Sequence, residues 1–141
     1  MKKTVSQSVI AVETAIEMVL AGLSEAASRG ISVSVVICGT ELQLIAAARG
    51  DGAAPHSIET ATRKAQSAAS RRKPSGTFDA RFDVTLALAS GNLLTNLLGG
   101  LPIVLDGVCV GGIGVGGGSP DEDVLVAQAA LAVIDVPVIQ D

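Results

Sequence analysis

Aromatic residues are almost absent from this sequence. Its 141 residues include no tryptophan, no tyrosine and only two phenylalanines, although 48% of the residues are hydrophobic. The core must therefore be filled by Val, Ile, Leu and Ala, which favours closely packed elements with small side chains. The length is typical of one compact domain, and we predict a single domain over residues 1–141.

Histidine and cysteine are scarce as well. His56 is the only histidine, and Cys38 and Cys109 are the only cysteines. These ligands are too few for a structural zinc site within one chain, and no Ser/His/Asp or Cys/His catalytic system can be assembled. Both cysteines lie in apolar, strand-like segments and are predicted to be buried free thiols. We expect a binding protein; any catalysis would require a bound cofactor.

No hydrophobic run is long enough to span a bilayer. The longest apolar stretch, residues 97–118, is rich in glycine and interrupted by Pro102 and Asp106, so we do not expect a membrane protein. Glu13 and Glu17 interrupt the N-terminal apolar positions, which argues against a signal peptide. We therefore expect a cytoplasmic protein.

The net charge of −4 is unevenly distributed. Segment 49–73 contains six of the ten Lys and Arg residues and two carboxylates, but no aromatic residue. Nucleic-acid binding requires a broad basic face, so this pattern favours a small anionic ligand over a nucleic acid.

The first 29 residues have the spacing of an amphipathic helix. We predict a helix over Thr4–Arg29 with a capping box formed by Thr4 and Gln7, ended by Gly30. Its predicted apolar face consists of Val9, Val12, Ile16, Val19, Leu23 and Ala26.

Two hairpins and two further long helices complete the pattern. Asp106-Gly107 between two β-branched runs predicts a type I′ turn, and Ser119 with Glu122 predicts a capping box. The predicted strands are Ile31–Cys38, Leu42–Ala48, Leu101–Leu105 and Val108–Val115, with Gly91–Gly100 open between loop and strand. The predicted helices begin at Pro55, near Phe78 (a short helix) and at Pro120. In the helix from Pro55, the residues predicted to face inward are Ile58, Ala61, Ala65, Ala68 and Ala69. This order indicates an α+β fold.

The glycines Gly112, Gly114 and Gly117 formally match the G-x-G-x-x-G dinucleotide motif. The helix that follows begins with three carboxylates, where a pyrophosphate requires positive potential, and too few residues remain for a nucleotide-binding unit. We therefore expect no NAD. Glycines in a strand more often permit close approach of another backbone or a ligand.

Several motifs resemble the GlcG/HbpS family, which also supplies the C-terminal module of PduO-type corrinoid adenosyltransferases. They are Asp51-Gly52-Ala53, Ala61, Lys64-Ala65, Gly99-Gly100-Leu101-Pro102-Ile103, Asp106-Gly107, Gly111-Gly112-Ile113-Gly114-Val115, Gly117, Asp121 and Asp123. The resemblance implies a profilin-like fold with an antiparallel sheet of about five strands and a helix at each end of the chain. It also implies homo-oligomers built from dimers, in some cases octamers, and haem binding in several members. Members of the family are further expected to take part in glycolate, propanediol or glycerol catabolism.

His56 is the leading candidate ligand, because imidazole is a common axial ligand of haem iron and of corrinoid cobalt. On a helix, His56, Thr60, Arg63 and Lys64 would share one face, so that two cations could pair with propionates. We expect a haem or, less favoured, a corrinoid at this face, with His56 as the axial ligand. A solvated histidine without a ligand role is the alternative.

Lys64 is the lysine of the family's Lys-Ala pair. It could bind a carboxylate, or pair across a subunit interface with the acidic turn Asp121–Asp123. One rival to the haem hypothesis is therefore a carboxylate sensor or carrier in which Lys64 and the backbone around Gly114 and Gly117 hold an organic acid. A second rival is a structural partner of a pathway enzyme. Arg71, Arg72 and Lys73 are interpreted as a solvated helix end.

Overall fold

A computed structural model describes residues 1–135. The predicted domain boundary at residue 141 lies outside the described residues. The helices are α1 (Val12–Ser28), α2 (Ser57–Arg71), α3 (Asp83–Ala89) and α4 (Pro120–Leu131), and the strands are β1 (Ser34–Cys38), β2 (Leu44–Arg49), β3 (Gly100–Leu105) and β4 (Val108–Gly116). Short 3₁₀ helices cover Ala80–Phe82 and Ala132–Asp135.

The strands form one antiparallel sheet in the order β2-β1-β4-β3, which confirms the α+β prediction. Four strands are found in residues 1–135, one fewer than expected. Residues 91–99 contribute no strand because side chains take up part of their hydrogen-bonding capacity. The Thr95 N–H donates to Ser67 Oγ at 2.8 Å, and the Leu94 N–H donates to Ser90 Oγ at 3.1 Å.

Both predicted hairpins are present. Asp106 and Gly107 have φ of 50° and 77°, as a type I′ turn requires at its two central positions. β1 begins at Ser34, three residues later than predicted, and β4 continues one residue further, to Gly116.

The predicted start of the first helix is wrong. α1 begins at Val12, and its N-cap residue, Ala11, is extended and makes no side-chain cap. The Ile10 N–H donates to Val110 O at 2.9 Å, so the chain before the helix is tied to β4. The predicted Thr4–Gln7 capping box therefore does not form. The predicted end is correct, because Gly30 has φ of 70° and its N–H donates to Ala27 O.

The predicted apolar face of α1 is only partly correct. Val19 and Ala26 are buried, whereas Val9, Val12 and Ile16 are exposed. The face that packs consists of Ala15, Met18, Val19, Gly22 and Ala26, three of which are Ala or Gly. A Cβ atom on Gly22 would lie 3.1 Å from a Val35 methyl group, so this helix approaches the sheet closely.

The sheet is covered on both faces. α1 and α4 pack on the face that carries Val35, Ile37, Ile113 and Val115, and α2 packs on the face that carries Val36 and Cys38. The inward alanines of α2 are Ala61, Ala65, Ala68 and Ala69, all buried as predicted, with Ile58 half-buried. A Cβ atom on Gly112 or Gly114 would overlap the backbone of α2. These glycines therefore serve helix packing.

The last helix follows its prediction. The Ser119 hydroxyl oxygen accepts from the Glu122 N–H at 3.2 Å, and the Glu122 carboxylate accepts from the Ser119 N–H at 2.9 Å. Pro120 occupies the first turn. Within residues 1–135, no helix has the length and apolar character needed to cross a membrane.

Candidate functional site

A cleft of about 290 Å³ opens where α2 begins and β4 ends, and we call it the His56 cleft. It is lined by Ala54, His56, Ser57, Thr60, Lys64, Leu97, Leu98, Gly117, Gly118, Pro120 and Asp123. Four of the six residues predicted to bind the cofactor therefore meet there: His56, Thr60, Lys64 and Gly117.

The start of α2 presents His56 at the mouth of the cleft. His56 is the N-cap residue of the helix, makes no side-chain cap, and is exposed. Thr60 lies one turn further along the helix, and its hydroxyl donates to His56 O at 3.3 Å. Both residues line the cleft, and no protein group among residues 1–135 is hydrogen-bonded to the imidazole.

A buried ion pair forms the floor of the cleft. Lys64 Nζ donates to Asp123 Oδ2 at 2.9 Å and to Val115 O at 2.8 Å, and Asp123 Oδ1 accepts from the Gly118 N–H at 2.9 Å. Burial raises the pKa of Asp123, although the Lys64 ammonium group and the Gly118 N–H oppose that shift. The expected pairing of Lys64 with the acidic turn thus occurs within the chain, so the version across a subunit interface is wrong.

Two predicted site residues lie outside the cleft. The Arg63 guanidinium donates to Asn92 O and pairs with Glu59 at 3.4 Å. Gly114 is buried under α2, where a Cβ atom would overlap the carbonyl oxygen of Ala61. The side chains of residues 56, 60, 63 and 64 therefore do not all reach the same site. Arg63 extends towards the 90–96 loop, whereas Lys64 enters the protein.

The cleft fits part of the tetrapyrrole prediction. An exposed imidazole stands beside two leucines, Leu97 and Leu98, which are 52% and 38% exposed, so a metal ligand and an apolar wall are both present. The volume is at the lower end for small-molecule pockets, so one chain covers only part of a macrocycle. The predicted propionate partners do not fit, because Lys64 is paired with Asp123 and Arg63 with Glu59.

Comparisons with known proteins identify the family. A family model described as "Haem degrading protein HbpS-like" matches residues 10–132. The chain belongs to the GlcG/HbpS-like family. Protein GlcG of Escherichia coli K12 is 34% identical over 108 residues, 76% of this chain and 81% of GlcG.

Solved structures of the same fold include two named relatives. A double mutant of HbpS from Streptomyces reticuli is 32% identical, with a TM-score of 0.84 over 93% of this chain and 90% of that chain. A structure described as a complex of PduOC with haem is 23% identical, with a TM-score of 0.83 over 94% of this chain and 99% of that chain. At that identity, the PduOC structure supports the fold of this family member.

A larger cavity, of about 900 Å³, lies at the opposite end of the sheet from the His56 cleft. We call it the Arg72 cavity. Four segments line it: the N-terminal residues 6–8, the β1–β2 turn at residues 40–42, the last turn of α2 with Arg72, and the β3–β4 hairpin with Cys109. Sequence reasoning missed this cavity because its lining residues share no motif and come from segments far apart in the chain.

The end of α2 is more structured than predicted. The Arg71 guanidinium lies 3.9 Å from the centre of the Phe78 ring and donates to Thr77 Oγ1 at 3.0 Å, so Arg71 is not simply solvated. Arg72 has φ of 56° and ψ of 35°, in the left-handed region. Arg72 makes no ion pair with the other residues of the described chain, and it lines the cavity.

Both cysteines are free thiols in different surroundings. Cys38 is the last residue of β1 and is buried against α2, and burial raises the pKa of its thiol to about 11. Cys109 is half-buried, lines the Arg72 cavity and directs its thiol towards Gly111 O at 3.4 Å. Burial is therefore confirmed for Cys38 and is only partial for Cys109. In residues 1–135, no three metal-ligating side chains come together.

Proposed function

We propose that this protein binds haem or a related tetrapyrrole at the His56 cleft, with the His56 imidazole as axial ligand to the metal. The observation that carries the proposal is that the only histidine stands exposed at the mouth of a cleft beside Thr60 and two leucines. The family description names haem, and one structural neighbour is described as a haem complex. The bound group would supply any redox or ligand-exchange chemistry.

The residues of the chain have distinct parts in this proposal. Leu97 and Leu98 provide apolar surface for the ring, and Thr60, whose hydroxyl donates to His56 O, lines the cleft with them. The ion pair of Lys64 with Asp123 holds the end of β4 and the start of α4 in place. We assign Lys64 a positioning role and leave Arg63 and Gly114 out of the site.

We further propose that the protein is a cytoplasmic homo-oligomer, built from dimers and extending to octamers, in which a second chain helps to cover the ring. Apolar residues on α1 and in the 82–98 segment support this proposal. Val12, Leu20, Val84 and Leu88 are each more than half exposed. In this proposal the protein is an accessory protein, not itself an enzyme, and assists cofactor-dependent diol, glycerol or glycolate catabolism, alone or with a pathway enzyme.

One alternative is favoured by the size of the cleft. A volume of about 290 Å³ suits a small carboxylate metabolite, which would meet the backbone at Gly117, because the Lys64 ammonium group is already paired with Asp123. In this alternative the protein is a carrier or sensor of organic acids and binds no tetrapyrrole. A small acid such as glycolate would then raise the melting temperature, whereas haem would give no defined spectrum.

The test is a haem titration followed in the visible region, comparing the wild type with His56→Ala. Arg63→Ala is the matched control, because Arg63 lies on the same helix but outside the cleft. We expect saturable binding in the wild type and the control, and loss or displacement of the ligand-field bands in His56→Ala.

Haem binding that is unchanged by His56→Ala would remove His56 as the ligand. If binding were also lost after alkylation of Cys109, the site would move to the Arg72 cavity. Absence of haem binding together with stabilisation by glycolate would replace the tetrapyrrole proposal with the carboxylate alternative.

A further inference from the structure

The two edges of the sheet differ in how their outward-facing backbone groups are used. β3 forms one edge. There, the Gly100 N–H donates to Ser75 Oγ at 2.8 Å, and Gly100 O accepts from the Ser75 N–H at 2.9 Å. Pro102 faces the same way, two residues further on, and has no N–H. Proline commonly protects an edge strand from pairing, so the chain itself closes this edge.

The other edge, formed by β2, is open. The Gly50 N–H donates to Val33 O at 2.8 Å, and Ala48, two residues earlier, pairs with β1 in the same way. Because these groups alternate along an antiparallel strand, the N–H and carbonyl groups of Ala47 and Arg49 point away from β1. Neither residue makes a backbone hydrogen bond on that side within residues 1–135, and both are exposed. β2 therefore presents an unprotected strand edge.

Helix α1 extends this edge into an apolar surface. Val12, Ile16 and Leu20 follow one another at four-residue spacing, and each is about half exposed. We call them the α1 stripe. Leu23 lies on the same side of the helix, and a Cβ atom on Gly50, directly after β2, would lie 3.4 Å from a Leu23 methyl group. The α1 stripe therefore borders the open edge. An apolar helix face of this kind normally packs against a partner.

The charges at the two ends of β2 favour a second copy of the same strand. Glu41 precedes β2 and Arg49 ends it, both are exposed, and neither forms an ion pair with another residue of the described chain. When two identical strands pair antiparallel about a two-fold axis, the start of each lies beside the end of the other. Glu41 then approaches Arg49 of the partner subunit, and opposite charges across a strand pair are stabilising.

We infer that β2 pairs antiparallel with β2 of a second copy, which joins the two four-stranded sheets into one sheet of eight strands. The α1 stripes of the two copies pack against each other on one face of this sheet. The inference deepens the proposed homo-oligomer and rests on that part of the proposed function. It does not depend on the tetrapyrrole.

The first test measures the mass of the full chain by light scattering, with the wild type beside Ala47→Pro. The substitution removes an outward N–H and no hydrogen bond to β1, so we expect the mass to fall by half or more while the far-UV spectrum is retained. A monomeric wild type at about 100 μM would overturn both the oligomer and the interface. An oligomeric wild type whose mass Ala47→Pro leaves unchanged would overturn the β2 interface alone.

A charge swap tests the pairing without altering the backbone. Glu41→Arg and Arg49→Glu should each raise the dimer dissociation constant at least about tenfold, because each contact occurs twice in a two-fold dimer. The double variant should recover to within about threefold of the wild type. Lys73→Glu is the matched control, because it reverses an exposed cation outside β2 and should have no effect. A double variant as weak as the single ones would overturn the antiparallel arrangement.

Hydrogen exchange followed residue by residue reports the strand pairing itself. The Ala47 and Arg49 amides should exchange slowly in the wild-type oligomer and rapidly in dissociated Glu41→Arg. The Ala48 amide, which faces β1, should stay protected in both proteins and serves as the internal reference. Rapid exchange of the Ala47 and Arg49 amides in the wild-type oligomer would overturn the inference.

Discussion

The Lys64 ammonium group and the Asp123 carboxylate lie 2.9 Å apart, with only 5% and 2% of their side chains exposed. The pair joins α2 to α4, and Lys64 also bonds the end of β4 through Val115 O. Removing one member would leave the other as an unpaired buried charge, which is far more costly than losing an exposed ion pair.

The first prediction concerns this pair. Lys64→Met and Asp123→Leu should each lower the free energy of unfolding by about 3–5 kcal/mol, and the double variant should lose much less than the sum. Urea denaturation of the four proteins measures the coupling. Glu25→Gln is the control, because it breaks an exposed pair with Arg29 and should cost at most about 1 kcal/mol. Additive losses in the double variant would contradict direct pairing.

The glycines of β4 give the second prediction. Gly114→Ala should lower the free energy of unfolding by about 3 kcal/mol or prevent folding, because the new Cβ atom would overlap the Ala61 carbonyl oxygen. Thermal unfolding and soluble yield are the measurements. Gly91→Ala is the control, since a Cβ atom there meets nothing within 4 Å although φ is 62°, and it should cost about 1 kcal/mol. Equal effects of the two variants would argue against close packing of α2.

The capping box of α4 gives the third prediction. Ser119→Ala should lower the free energy of unfolding by about 1 kcal/mol, because it leaves the Glu122 N–H without its acceptor. Glu122→Gln should cost less, since an amide oxygen can still accept from the Ser119 N–H. Equilibrium denaturation compares the two variants, and a larger loss for Glu122→Gln would show that charge, not the hydrogen bond, stabilises this end.

The sequence predicted the elements that local rules determine. Asp106-Gly107 can adopt the two positive φ values of a type I′ turn, and Ser119 with Glu122 satisfies the first N–H groups of α4; both predictions are confirmed. The convergence of His56, Thr60 and Lys64 followed from helical spacing, and the structure brings all three to one cleft.

Other features depend on contacts between distant segments and could not be predicted from local patterns. The helix predicted from Thr4 is excluded by one hydrogen bond, from Ile10 N–H to Val110 O. Arg63 and Lys64 are neighbours in the sequence, but their directions are decided by Asn92 and Asp123, which come from other elements. The Arg72 cavity is lined by four segments that lie far apart in the sequence, so no local pattern predicts it.

The left-handed conformation of Arg72 gives the fourth prediction. Arg72→Gly should raise the free energy of unfolding by about 1 kcal/mol relative to Arg72→Ala, because only glycine adopts φ of 56° without a steric cost. The comparison with alanine removes the contribution of the lost guanidinium. Urea denaturation measures the difference. Equal stability of the two variants would show that the end of α2 relaxes to another conformation.

The buried thiol of Cys38 gives the last prediction. Burial raises its pKa from 9.0 to about 11, so the folded protein retains a proton that the unfolded chain loses. The resulting stability is fully present below about pH 9 and is lost as the pH rises towards about 11, by about 3 kcal/mol in total.

Cys38→Ala removes this titration, whereas Cys109→Ala retains it. Urea midpoints of both variants and the wild type at about pH 8 and about pH 10.5, under a reducing agent, measure the difference. Because the chain has no tyrosine, Cys38→Ala should show a shallower alkaline decline, and parallel declines in all three proteins would place the titrating group elsewhere.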